Sequence, residues 1–186
     1  MIREALVFFA ALIVAAIIHI ATIFALPYFA ENDLWNRVQT LGPPHEMYVL
    51  SNPKDAIDMS VDLDPTFAYG LCRTNVSEAP VLLKGSLPSN FWSLDYVDRN
   101  GRSQFSLTNQ ISGSNLNVVL ATRGQQRLLA ERPDLTDETA IVISAAGEKG
   151  ILVVRAMVAS ERDRGNIASA LETLSCGPLW SQASFE

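Results

Sequence analysis

The side chains able to carry proton transfer or nucleophilic attack are few: two histidines and two cysteines in 186 residues. His19 sits in an uncharged apolar run, so a Ser-His-Asp or Cys-His arrangement has only His45 to draw on, and His45 follows Pro43-Pro44 in what reads as an exposed loop. The sequence contains no Gly-x-Ser-x-Gly elbow, no glycine-rich phosphate loop and no His-Glu-x-x-His pair. Cys72 and Cys176 form neither a Cys-x-x-Cys redox motif nor a metal pair. Asp55, Asp58, Asp62 and Asp64 gather in "DAIDMSVDLDP", but the Asp-x-Asp-x-Asp-Gly spacing of a calcium loop is missing, so they read as an acidic, solvated loop. No catalytic residue, metal site or cofactor is expected.

Three charged residues in or beside apolar strands are more informative. Arg155 shares a strand face with Val153 and Met157, Asp95 shares one with Ser93 and Val97, and Arg73 follows Cys72. Each must reach water or a partner, because burying an unpaired charge is prohibitive. The ordinary reading is a sheet with one solvated face. The sharper one makes Arg73, Asp95 and Arg155 a ligand-binding set. The two cysteines are expected to form a Cys72–Cys176 disulfide in an oxidising compartment, tying an early strand to the end of a C-terminal helix. Two unlinked buried thiols are the alternative.

The elements that position these residues begin with an uncharged run from Ala5 to Leu26. At about 1.5 Å rise per residue a helix over this run crosses a hydrocarbon core of ~30 Å. Leu26-Pro27-Tyr28-Phe29-Ala30 puts proline and aromatics where a signal peptidase requires small side chains, so the segment reads as a retained anchor. Arg3 precedes the run and the next basic residue is Arg37, a bias that leaves the N-terminus in the cytoplasm and the rest of the chain outside the cytoplasmic membrane. Ala11, Ala15, His19 and Thr22 fall on one stripe of the helix, where small side chains admit a second helix and the polar ones can hydrogen-bond to it, so a membrane-protein partner is expected there.

Residues 1–27 therefore read as cytoplasmic N-terminus and anchor, 28–44 as a juxtamembrane helix and linker, and 45–186 as one β-rich domain. Within the linker, Asn32 or Asp33 offers a helix cap, Gly42-Pro43-Pro44 a stop, and Leu34, Trp35, Val38 and Leu41 an apolar stripe that either docks on the domain or lies on the lipid interface. Short β runs follow at Met47–Leu50, Thr66–Cys72, Val81–Gly85, Phe91–Val97, Ser103–Leu107, Leu116–Ala121, Thr139–Ser144 and Ile151–Ala159. Asp98 to Gly101 supplies the turn of a hairpin, and alternation places Trp92, Leu94 and Tyr96 on one face. Thr122 and Gln125 match a capping box opening a helix through Glu131, and a second helix spans Arg164 to Ser175, ending at Cys176-Gly177-Pro178. The expected fold is a single transmembrane helix followed by a β-sandwich-like α+β domain with two or three short helices. A net charge of −6 without a cluster of Lys and Arg argues against nucleic acid as a partner.

The stretches "FWSLDYVDRNGRSQFSLTN", "FAYGLCR", "GILVVRAMV" and "HIATIFALPYF" resemble an uncharacterised family of small single-pass membrane proteins of Gram-negative bacteria, known only as a domain of unknown function. Larger soluble relatives of that family carry a Phe-Trp-Ser-Leu hairpin in a β-sandwich. The resemblance implies a bacterial, membrane-anchored periplasmic domain of sandwich type and transfers no catalytic residue. Three functions follow in order of expectation. The first is an anchored accessory protein of the cell envelope, without catalysis. The second is a module binding a carbohydrate or lipid against exposed Trp92, Tyr96 or Trp180. The third is a hydrolase or transferase working with Asp, Arg and Ser alone.

Overall fold

The computed structural model describes residues 2–52, 63–88 and 90–182, with the backbone alone for 27–34, 36 and 181–182. One helix, α1 (Ile2–Gln39), takes in both the apolar run and the juxtamembrane segment. A fresh helix capped at Asn32 or Asp33 is therefore not what forms. A proline inside a helix costs about 3 kcal/mol, through its missing N–H bond and its clash with the carbonyl four residues before it, and the docking of Trp35 and Val38 farther along offsets that cost. Beyond Gln39 the helix stops at Gly42, whose φ of +148° ends the regular backbone just ahead of the two prolines.

Among the described residues nine strands follow: β1 (Met47–Leu50), β2 (Phe67–Asn75), β3 (Val81–Ser86), β4 (Trp92–Asp98), β5 (Ser103–Thr108), β6 (Asn115–Ala121), β7 (Ile141–Ser144), β8 (Lys149–Met157) and β9 (Ser175–Pro178). They build two sheets, an antiparallel one in the order β1-β2-β8-β4-β5 and a four-stranded one in the order β7-β6-β3-β9. The short helices are α2 (Asn109–Ser112), α3 (Arg123–Glu131), α4 (Arg164–Glu172) and α5 (Leu179–Gln182). The eight expected strands all form. The ninth, β9, was expected as a helix stop: Cys176-Gly177-Pro178 ends no helix but pairs with β3, and its proline is tolerated because β9 is an edge strand.

The core lies between the sheets. Leu94, Tyr96, Leu152 and Val154 from one meet Val81, Leu83, Val118 and Leu120 from the other, and Ile167 and Leu171 of α4 join the same cluster. Gly150 leaves space for the ring of Tyr96; a Cβ there would meet that ring and the Val97 carbonyl oxygen, the latter at 2.7 Å. β6 and β7 run parallel and so need a crossover, which α3 supplies. Its capping box forms as expected, with the Thr122 hydroxyl accepting from the Gln125 amide and the Gln125 carboxamide oxygen accepting from the Thr122 amide at 2.8 Å. Leu129 of α3 then covers Val119, Ala121 and Leu82 on the outer face of the smaller sheet.

The outer face of the larger sheet is covered over half its length. Trp35 and Val38 of α1 pack with Leu71 and Ile151, and Leu41, Tyr48, Leu50 and Val153 complete the cluster. Burial along the strands records this cover. Ile151 to Val154 of β8 is buried or half-buried on both faces, while beyond it Arg155 and Met157 emerge and Ala156 stays inside. The stripe of Trp35, Val38 and Leu41 thus docks on the domain.

Candidate functional site

The open half of that outer face gathers the charged residues the strands carry. Ser93 on β4 and Tyr69 on β2 stand opposite Arg155 on β8, and Asp95 lies one step along β4. The Arg155 guanidinium donates from Nη2 to Asp95 Oδ2 at 2.9 Å and from Nε to Ser93 Oγ at 3.2 Å. The Asp95 side chain is 18% exposed and that of Arg155 44%. The pair is therefore a sheet-surface clamp with the carboxylate tucked under the guanidinium, worth little more than an ordinary exposed ion pair. Ser93 is buried and accepts a hydrogen bond from a cation. The Asp95 carboxylate on the same strand face is engaged by that same guanidinium.

Arg73 belongs elsewhere. It lies opposite Ile151, four pairs along β2 from Tyr69, and its Nη1 donates to the Gln39 carbonyl at 3.1 Å. It caps the C-terminus of α1, where a cation meets the negative end of the helix dipole. Of the three residues read as one ligand set, Asp95 and Arg155 are together and Arg73 serves the helix. Beside it, His45 adopts φ +69° and donates its amide to the Arg73 carbonyl at 2.9 Å. Its ring is half-buried rather than exposed, and burial lowers its pKa.

Asp64 is the one member of the acidic stretch within the described residues; Asp55, Asp58 and Asp62 lie outside them. Its Oδ1 accepts from the Thr66 amide at 2.9 Å and the Thr66 hydroxyl at 2.7 Å, and these bonds, the amide first, depress its pKa. Its own amide donates to the Tyr69 hydroxyl at 3.1 Å. Arg164 fastens the neighbouring chain, donating to the Ser51 and Pro65 carbonyls at 2.8 and 3.0 Å and to both oxygens of Glu161. The i,i+3 spacing of Glu161 and Arg164 marks this pair in the sequence, but not its carbonyl partners.

Trp92 and Tyr96 are 1% and 0% exposed, so neither is a platform for a ligand. They share the inward face of β4 with Leu94, as alternation required. Trp180 is half-buried against the Leu82 and Val119 cluster. The cysteines do meet: Cys72 and Cys176 are bonded, with Cα atoms 6.5 Å apart. Because Cys72 is on β2 and Cys176 on β9, the bond joins the two sheets rather than a strand to a helix end.

At the other extreme of the chain, Ile2–Leu26 has a mean hydropathy of 2.7 and no part of it is buried against the rest of the protein. Ala11, Ala15, His19 and Thr22 are all exposed, and the Thr22 hydroxyl donates to the Ile18 carbonyl of its own helix at 2.8 Å.

Fold and site together define a two-sheet β domain carried on a long apolar N-terminal helix and closed by an inter-sheet disulfide. The chain is similar in fold to part of the VPA0106 protein of Vibrio parahaemolyticus, with a TM-score of 0.61 and 13% identity over 86% of this chain. It spans 38% of that protein's length. An uncharacterised protein of Burkholderia cenocepacia matches with a TM-score of 0.45 and 12% identity over 74% of this chain and 36% of its own. No protein-family model and no curated protein matches the sequence.

Proposed function

We propose that this is a membrane-anchored accessory protein of the bacterial envelope, with its N-terminus in the cytoplasm and its β domain in the periplasm, acting by contact and not by catalysis. One observation carries the reading. The helix leaving the apolar span is fixed to the sheet by Trp35, Val38 and the Arg73–Gln39 bond. A domain that only has to stay near a membrane is served by a flexible linker. A helix locked to its sheet instead passes the orientation of the membrane segment to the domain. The disulfide suits the oxidising periplasm, and a partner helix is assigned to the stripe of Ala11, Ala15, His19 and Thr22.

A ligand-binding reading loses Trp92 and Tyr96 to the core and keeps a half-buried Trp180 and the exposed edge of Arg155. A photo-crosslinker at Ala11 in intact cells tests the accessory role, and a discrete membrane-protein adduct is the expected product. Replacing His19 and Ala15 together by leucine should reduce it, since intramembrane hydrogen bonds contribute about 0.6–2 kcal/mol. Unchanged recovery of every adduct would reduce the helix to a simple tether. A mature chain beginning near Glu31 would remove the anchor altogether.

A further inference from the structure

Both ends of the larger sheet carry exposed charge, Asp64 and Glu161 lying at one of them, but among the described residues only that end also carries exposed large apolar side chains. One end carries the β4–β5 turn and the start of β8, where Arg99, Arg102, Glu148 and Lys149 are exposed. The other carries Phe67 at the start of β2, Phe91 just before β4, Met157 at the end of β8 and Ile111 in α2, which follows β5. Phe91, Ile111 and Met157 are 41%, 74% and 36% exposed. Backbone and ring contacts make this rim continuous: the Met157 amide donates to the Phe91 carbonyl at 2.8 Å, and the Phe67 and Phe91 rings meet edge to face at 6.3 Å. The Asn109 side chain donates to the Asn90 carbonyl at 3.2 Å, tying α2 to the same corner.

The course of α1 says what this rim faces. Its C-terminus is held at Arg73, and its preceding turn lies on Leu71, Ile151, Val153 and Leu50, so traced backwards the helix heads over the sheet from the Arg73 end toward the Phe67 end. From Trp35 back to Leu26, the last residue of the apolar span, is about 14 Å of helix. From Leu71 back to Phe67 is about 13 Å of strand. Rim and span boundary therefore lie at comparable distances from the docked turn of α1.

We infer that Phe67, Phe91, Ile111 and Met157 form a membrane-contacting rim that rests in the headgroup layer of the bilayer that α1 crosses. This rests on the reading of α1 as a membrane span. Aromatic and aliphatic side chains on a tethered domain bury their apolar area in that layer, as interfacial helices do. The net charge is −6, and the exposed basic residues Arg99, Arg102 and Lys149 lie at the opposite end of the sheet from the rim. The contact is apolar and indifferent to lipid charge.

Spin labels on single added cysteines test this in the full chain, because both native cysteines are already paired. Phe91→Cys and Ile111→Cys report the rim, Arg99→Cys the opposite end and Ile13→Cys the span, all in exposed positions. In vesicles of phosphatidylcholine, with or without phosphatidylglycerol, collisions with oxygen relative to a polar nickel chelate should be several-fold more frequent at both rim positions than at Arg99→Cys. Rim labels as open to the chelate as Arg99→Cys, with Ile13→Cys in hydrocarbon, overturn the rim and leave the span standing. Ile13→Cys in water removes the span and the rim with it. Rim labels shielded from both reagents, with broadening that grows with protein per vesicle, would assign the rim to another protein molecule and overturn lipid contact.

Discussion

Tyr96 shows how a single residue can be read for stability. Its ring fills the core over Gly150, its hydroxyl is buried without a protein partner among the described residues, and burial, with Asp98 nearby, pushes its pKa up to about 12. Below pH 10 the tyrosine is neutral in both folded and unfolded chains. Between about pH 10 and 12 only the unfolded chain releases the proton, so stability falls, by up to about 2.7 kcal/mol for a shift of two units. Urea midpoints for Tyr96→Phe should lack this part of the alkaline decline. At pH 7 the variant should be as stable as the parent or about 1 kcal/mol more so, because it deletes an unsatisfied hydroxyl. A loss of stability at pH 7 would mean that the hydroxyl has a partner.

At the scale of elements, the joint between α1 and the sheet is what distinguishes this protein from a domain on a string. Trp35 is 7% exposed and Val38 1%, both against residues of β2 and β8. Truncating a buried tryptophan costs about 3–5 kcal/mol in a closed core. Here the cost falls first on docking, because the main core between the sheets has no part in the contact. In Trp35→Ala the amides of the last turn of α1 should exchange with solvent faster while those of β4 and β8 keep their protection. Equal loss of protection throughout would show that the helix is an integral part of the cooperative fold.

At the scale of the whole molecule, the Cys72–Cys176 bond closes a loop between residues 104 apart in sequence and clamps the two sheets at their inner faces. In the chain-entropy account, a loop of about 100 residues contributes up to ~4.7 kcal/mol, less any native strain. Reduction should lower the unfolding midpoint substantially while far-ultraviolet dichroism still reports a β domain at low temperature. A midpoint that does not move on reduction would show that the sheets are held by packing alone. The bond complements the joint at α1: one fixes sheet to sheet, the other fixes sheet to the apolar N-terminal helix.

The sequence by itself determined the elements and their inward faces, because those depend on local signals. Alternation of apolar residues placed Trp92, Leu94 and Tyr96 inside, Asn100-Gly101 marked the hairpin, Thr122 and Gln125 set the start of α3, and an uncharged run long enough to span lipid marked the N-terminal helix. Tertiary structure decided whatever depends on which strands become neighbours. It put Arg155 within reach of Asp95 and Ser93 across residues some 60 apart in sequence, and it sent Arg73 to the end of α1. It made a strand of Ser175–Pro178, which has too few residues to show a period and gains its backbone hydrogen bonds only from β3. It carried α1 past Pro27 to its seat on the larger sheet. A local cap offers about 1 kcal/mol at most sites, and burying a tryptophan and a valine on a waiting sheet face outweighs it.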